Sequence, residues 1–150
     1  MKRCAIPTAT WVLWAVMGAC RSPVPRSDVG LLEASPASPV ADLPVPRGFR
    51  LVDASSEDWI SGTIRYVRHR YVGSADKQSV RRFYREQLPL VRWRPVSERF
   101  LDGRIEMFYR REREACTIII QDEPGGRRRT RITALIAPLI EDGESRDRSP

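Results

Sequence analysis

Gly73-Ser74-Ala75-Asp76-Lys77-Gln78-Ser79-Val80-Arg81-Arg82-Phe83-Tyr84-Arg85-Glu86-Gln87-Leu88-Pro89 is the stretch with clear helical periodicity. Val80, Phe83, Tyr84, Gln87 and Leu88 recur three and four residues apart, so one face is apolar. Arg81, Arg82 and Arg85 fall largely outside that face. Gly73-Ser74 breaks the preceding segment. Ser74 is placed to cap the helix, and Asp76 in its first turn suits the helix dipole. Pro89 disfavours the helical conformation of the residue before it. These signals predict one helix from about Ala75 to about Leu88. Its neighbours on both sides read as strands, so this one helix decides the fold class.

After the helix the chain reads as antiparallel strands. Trp93 to Phe100 is the first, with Pro95 marking an edge or a bulge. Asp102-Gly103 suits a two-residue type I′ turn, and Arg104 to Arg111 returns from it. Arg111-Glu112-Arg113-Glu114 is a charged turn. Ala115 to Gln121 is apolar on both faces and reads as the central strand. Pro124-Gly125-Gly126 turns the chain again. Thr130, Ile132, Ala134 and Ile136 then share one face of a strand from Arg129 to Pro138. Before the helix, Phe49, Leu51 and Val52 read as a short strand and residues 53 to 60 as a polar loop. Thr63 to Val72 is β-branched and aromatic, hence strand.

The expected fold is α+β: a curved antiparallel sheet of about five or six strands with one main helix packed on one face, in the order β-β-α-β-β-β-β. Expected core members are Phe49, Leu51, Ile64, Tyr66, Val80, Phe83, Tyr84, Leu88, Trp93, Met107, Ile118, Ile120, Ile132 and Ile136.

The amino terminus carries a different kind of information. Lys2 and Arg3 are followed by no charge until Arg21. Ile6, Trp11, Val12, Leu13, Trp14, Val16 and Met17 crowd the uncharged run, and Gly18-Ala19 precede Cys20. A basic head, an apolar middle and a small-residue exit are the layout of a secretory signal. The run is shorter than the roughly 20 apolar residues a spanning helix needs. Met17-Gly18-Ala19-Cys20 resembles the lipobox of bacterial lipoproteins, with Met17 where leucine is usual. The resemblance implies that the Cys20 thiol receives a diacylglycerol, that the signal is cut before it, and that the new amino terminus is acylated, commonly with palmitate. It also implies a cell-envelope location. Arg21 after the cysteine, rather than aspartate, leans toward the outer membrane.

The resulting domain division is a signal peptide over 1–19, a Pro/Ser/Ala-rich tether over 20–43, one domain over 44–140 and a polar, disordered tail over 141–150. Tyr71-Val72-Gly73, Phe83-Tyr84, Trp93, Asp102-Gly103 and Cys116-Thr117-Ile118 also resemble a small domain of uncharacterised bacterial envelope lipoproteins. That resemblance is structural and implies no activity.

Charge and cysteines narrow the chemistry. The chain of 150 residues has a formal charge of +7. Loss of residues 1–19 removes Lys2 and Arg3 and no acid, leaving +5. Only Lys2 and Lys77 are lysines. Arginine makes bidentate contacts to phosphate and carboxylate that lysine does not. Arg65, Arg68 and Arg70 interleave with Tyr66 and Tyr71, a pattern that suits anionic lipid headgroups or acidic polysaccharide. Single-strand nucleic-acid binders use similar interleaving, but export removes the chain from the genome. Cys116 is left as a lone thiol with no disulfide framework. With His69, the only histidine, it formally makes a nucleophile and base pair. No Cys-x-x-Cys, histidine pair, G-x-S-x-G or phosphate-loop motif is present.

The sequence reading is therefore a membrane-tethered envelope lipoprotein with a structural, binding or assembly role, no enzyme activity, no cofactor and no metal. Its partners are the membrane, through the lipid on Cys20, and an envelope protein or anionic glycan or lipid. A binder of anionic ligands through the arginine-rich sheet face is the first alternative. A small Cys116/His69 hydrolase is the second.

Overall fold

Asp76 starts the helix. In the computed structural model, which describes residues 31–125 and 128–139, α1 spans Lys77–Leu90. The Asp76 carboxylate accepts from the backbone N–H groups of Gln78 and Ser79, each at 2.9 Å, and from the Ser79 hydroxyl at 2.6 Å. Ser74, expected in this role, lies two residues further out. An ionised acceptor bonds two free helix N–H groups more strongly than a hydroxyl does.

The other end also differs from expectation, because Pro89 lies inside the helix. The chain stops at Arg92, whose φ of 69° is left-handed. Arg92 N–H donates to the Pro89 carbonyl and Trp93 N–H to the Leu88 carbonyl, each at 3.1 Å. These are the paired bonds of a Schellman stop, with arginine where glycine is usual. Leu88 and Trp93, which accompany that stop, are both fully buried. Their burial outweighs the local preference of the residue before a proline.

Seven strands form one antiparallel sheet: β1 (Arg50–Leu51), β2 (Glu57–Ser61), β3 (Ile64–Gly73), β4 (Arg94–Leu101), β5 (Arg104–Arg111), β6 (Glu114–Asp122) and β7 (Thr130–Pro138). The spatial order is β1-β3-β7-β6-β5-β4, with β2 also paired to β3. The chain begins at one edge, crosses through α1 to the far edge, and returns by hairpins until β7 closes beside β3. The α+β reading with one helix on an antiparallel sheet therefore stands. The element order gains a strand, because residues 53–60 are not a loop throughout. Asp53–Ser55 is a short 3-10 turn, and β2 follows it. Trp59 lies opposite Tyr66 across β2 and β3, and their rings stack at 5.9 Å. Such cross-strand aromatic pairs favour sheet over loop.

Asp102-Gly103 forms the expected two-residue turn, with φ of 48° and 75° between the paired Leu101 and Arg104. Pro95 coincides with a register shift in the edge strand β4.

The core lies between α1 and one face of the sheet. Val67 and Tyr71 of β3, Met107 and Tyr109 of β5, Cys116, Ile118 and Ile120 of β6, and Ile132, Ala134 and Ile136 of β7 are buried at alternate positions. Val80, Phe83, Tyr84 and Leu88 of α1 are buried in the same cluster. Two expected core residues belong elsewhere. Ile64 is exposed and Tyr66 half-buried, because the even-numbered positions of β3 face away from the helix. Phe49 and Leu51 are only partly buried against the core.

One helix leaves part of a seven-stranded sheet bare, and the segment before β1 fills the remainder. Val40, Leu43 and Val45 are buried in the core cluster. The Ser38 hydroxyl donates to the carbonyls of Val40 and Leu43, and Ser35 N–H to Val45. The packed domain therefore includes residues that the sequence reading places in the tether over 20–43. Their Pro/Ser/Ala surroundings hide two aliphatic side chains of the core, Val40 and Leu43.

Candidate anion-binding surface

β3 splits the arginines and tyrosines proposed from sequence. Tyr66, Arg68 and Arg70 lie on the sheet face away from α1, whereas Arg65 and Tyr71 lie on the helix side. Tyr71 is 1% exposed, and its hydroxyl sits 2.9 Å from His69 Nδ1. Burial pushes its phenol up to about 12, with the charge of Asp58 adding to it. Arg68 makes a loose pair with Glu57 at 3.4 Å. The five residues do not form one site.

Arg65 is engaged in a neutral four-charge cluster. Its two Nη atoms donate to the two Asp42 carboxylate oxygens, each at 2.9 Å, and its Nε donates to Glu114 at 3.0 Å. Arg111 Nη2 donates to Glu114 at 2.9 Å and also to Asp42. The Arg111 guanidinium lies 4.5 Å over the Trp93 ring, whose Nε1–H donates to the Asp42 carbonyl at 2.8 Å. Burial alone would raise the Asp42 carboxyl. The hydrogen bonds and charges of Arg65 and Arg111 outweigh it and hold that carboxyl below its ordinary value. The cluster ties residues 40–45 to β3, β5 and β6, and its arginines have their charge matched within the domain.

The unmatched charge lies just beyond it. The strand registers put the starts of β3, β4 and β6 and the ends of β5 and β7 at one pole of the sheet. The end of α1 joins them, because Arg111 Nη1 reaches the Val91 carbonyl. Arg92, Arg94, Arg110 and Arg113 are all exposed there. None of them forms an ion pair among the described residues. Two hollows lie there: one of about 440 Å³ is lined by Asp42, Arg92, Arg111 and Glu112 among others, and one of about 590 Å³ by Arg92, Trp93, Arg94, Arg110, Arg111 and Glu112. Guanidinium forks converging on open hollows suit phosphate, sulfate or carboxylate groups.

Sequence reasoning missed this set. Arg92-Trp93-Arg94 and Arg110-Arg111 are distant in the chain and read as strand ends. Only the Arg94↔Arg110 pairing brings them together.

The Cys116 and His69 pair is not assembled. β7 lies between their strands, because Cys116 pairs with Ile136 and His69 with Ala134. Two strand spacings are about 9.5 Å, beyond hydrogen-bond reach. Burial, followed by the charge of Asp42, pushes the Cys116 thiol up to about 12. Cys20 lies outside the described residues. No helix among the described residues is long and apolar enough to cross a membrane. No family model, curated protein or solved structure matches the chain in the comparisons made.

Proposed function

We propose that the chain is a lipid-anchored cell-envelope protein with a binding role, and that its arginine-lined pole holds anionic groups. The observation that carries the ligand class is that Arg92, Arg94 and Arg110 line one hollow of about 590 Å³, with no ion pair to any of them among the described residues. The anchor rests on the uncharged run that closes on Gly18-Ala19-Cys20. The outer membrane is favoured over the inner. The ligand group is a phosphate, sulfate or carboxylate, of the kind carried by lipid headgroups or acidic polysaccharide. This keeps the anionic-ligand reading and moves its residues from the Arg65/Arg68/Arg70 set to the pole.

Two measurements test it. Metabolic labelling with a fatty-acid probe is expected to mark the protein, and Cys20→Ser to abolish the mark; a label that survives Cys20→Ser sinks the anchor. Retention of the full chain on a heparin column is expected to weaken in the variant Arg92→Asn/Arg94→Gln/Arg110→Gln. Asparagine is chosen at 92 because it tolerates the left-handed backbone there. Elution at unchanged salt would sink the pole as the binding surface.

A further inference from the structure

The β2–β3 hairpin turns at the arginine-lined pole. β7 runs on past its Ile136 pairing with Val67 to Pro138, and Arg65 bonds Glu114 at the start of β6, so Arg65 and Tyr66 stay level with the sheet and the turn over residues 61–63 forms the tip. The run Trp59-Ile60-Ser61-Gly62-Thr63-Ile64 contains no charge. Trp59 is 52% exposed, Ile60 75% and Ile64 46%. Trp59 and Ile64 lie on the face away from α1 and Ile60 on the other, so the tip is apolar on both sides. A one-sided glycan or protein contact would leave one of those sides in water. Leu90, 73% exposed, ends α1 at the same pole.

We infer that this hairpin is a wedge that enters the headgroup boundary of an anionic bilayer while the pole arginines hold its phosphates. The inference rests on the anchored, anion-binding reading above and names the lipid surface as the occupant. Trp and Tyr favour the membrane boundary, and arginine stems can lie along apolar surface while their heads meet phosphate. An interfacial element buries its apolar side about 5–10 Å deep, which a hairpin end carrying Trp59, Ile60 and Ile64 can enter. Charge is complementary: among the described residues, the exposed Arg92, Arg94, Arg110 and Arg113 at this pole outnumber the exposed Glu112 and Asp58. Residues 20–30, between the lipidated cysteine and the described domain, can span roughly 35 Å when extended. That is about the length of β3, so the anchor permits the pole to reach the bilayer.

The test uses the full, lipidated chain carrying Ile60→Cys with a polarity-sensitive fluorophore. The control carries the fluorophore at Gln78→Cys, an exposed site at the opposite end of α1. In phosphatidylcholine vesicles containing phosphatidylglycerol, the label at 60 is expected to shift to the blue. It should also be quenched by brominated acyl chains, while the label at 78 stays in water. Each pole arginine removed is expected to weaken this docking about fivefold. Flotation with the vesicles reads the anchor separately. A chain that floats while its label at 60 stays in water overturns the wedge and leaves the anchor standing. A chain that does not float overturns both. A label shielded with rising protein concentration in the absence of vesicles overturns the wedge in favour of a second copy.

Discussion

Gly73 closes β3 against the ring of Phe49. A Cβ built there would lie 2.5 Å from two atoms of that ring, too close for any real contact. The ring is anchored near its own backbone and cannot swing aside freely. Gly73→Ala is therefore expected to cost about 1–3 kcal/mol, as overpacking does. Phe49→Ala in the same chain should recover part of the loss, because the two sites share one contact; urea unfolding of the four variants reads this directly. From sequence Gly73 looks like the break that ends a strand, and its packing role is invisible until β1 pairs with β3. Arg65 was illegible for a similar reason. Its neighbours Arg68 and Arg70 share its composition, but strand parity turns Arg65 toward Asp42 and Glu114. A run of arginines shows charge and not which of its members are already matched. The lone thiol of Cys116 was legible because its buried-strand composition allows little else.

The helix was legible as an element, and its ends were not. The Val80, Phe83, Tyr84 and Leu88 stripe is fully buried, while Arg82 is exposed, as the periodicity requires. Phe83→Ala is expected to cost about 3–5 kcal/mol, and Arg82→Ala less than about 0.5 kcal/mol. Thermal melts compare the two, and equal losses would put the helix face in the wrong place. The stop at Arg92 escaped detection because glycine, not arginine, is its usual signature. The segment over residues 40–45 escaped because composition alone assigns Pro/Ser/Ala runs to linkers.

That segment also carries a pH dependence. Asp42 has a depressed carboxyl, so its contribution to stability is present above its unfolded value near 3.8 and is lost as pH falls through the folded value. Asp42→Asn is expected to cost about 1–3 kcal/mol at pH 7. The gap between variant and parent in urea unfolding should begin to narrow as pH falls below about 3.8, and close as it passes the lower folded value, where the parent also loses the charge. A gap that stays constant down to pH 2.5 would mean that the Asp42 charge contributes nothing through Arg65 and Arg111.

At the scale of the whole molecule, the α+β class follows from one helix among strands, and the structure bears it out. The face away from α1 is mixed in charge: Arg99 and Arg104 pair with Glu106, and Arg131 pairs with Glu123. The pole differs because four arginines converge there with no ion pair among the described residues. That convergence depends on pairing between distant segments, which no local pattern displays.

The proposal places anion binding at this pole rather than on the arginines of β3. The most direct measurement is the salt dependence of heparin affinity for the full chain and two variants, Arg92→Asn/Arg94→Gln/Arg110→Gln and Arg68→Gln/Arg70→Gln. The slope of log K against log salt scales with the number of ion contacts released, at roughly 0.7–0.9 per contact for nucleic acids. The pole variant is expected to lose roughly two units of slope or more, and the β3 variant to stay close to the parent. A pole variant with the parent's slope, or a β3 variant that falls as far, would contradict the assignment.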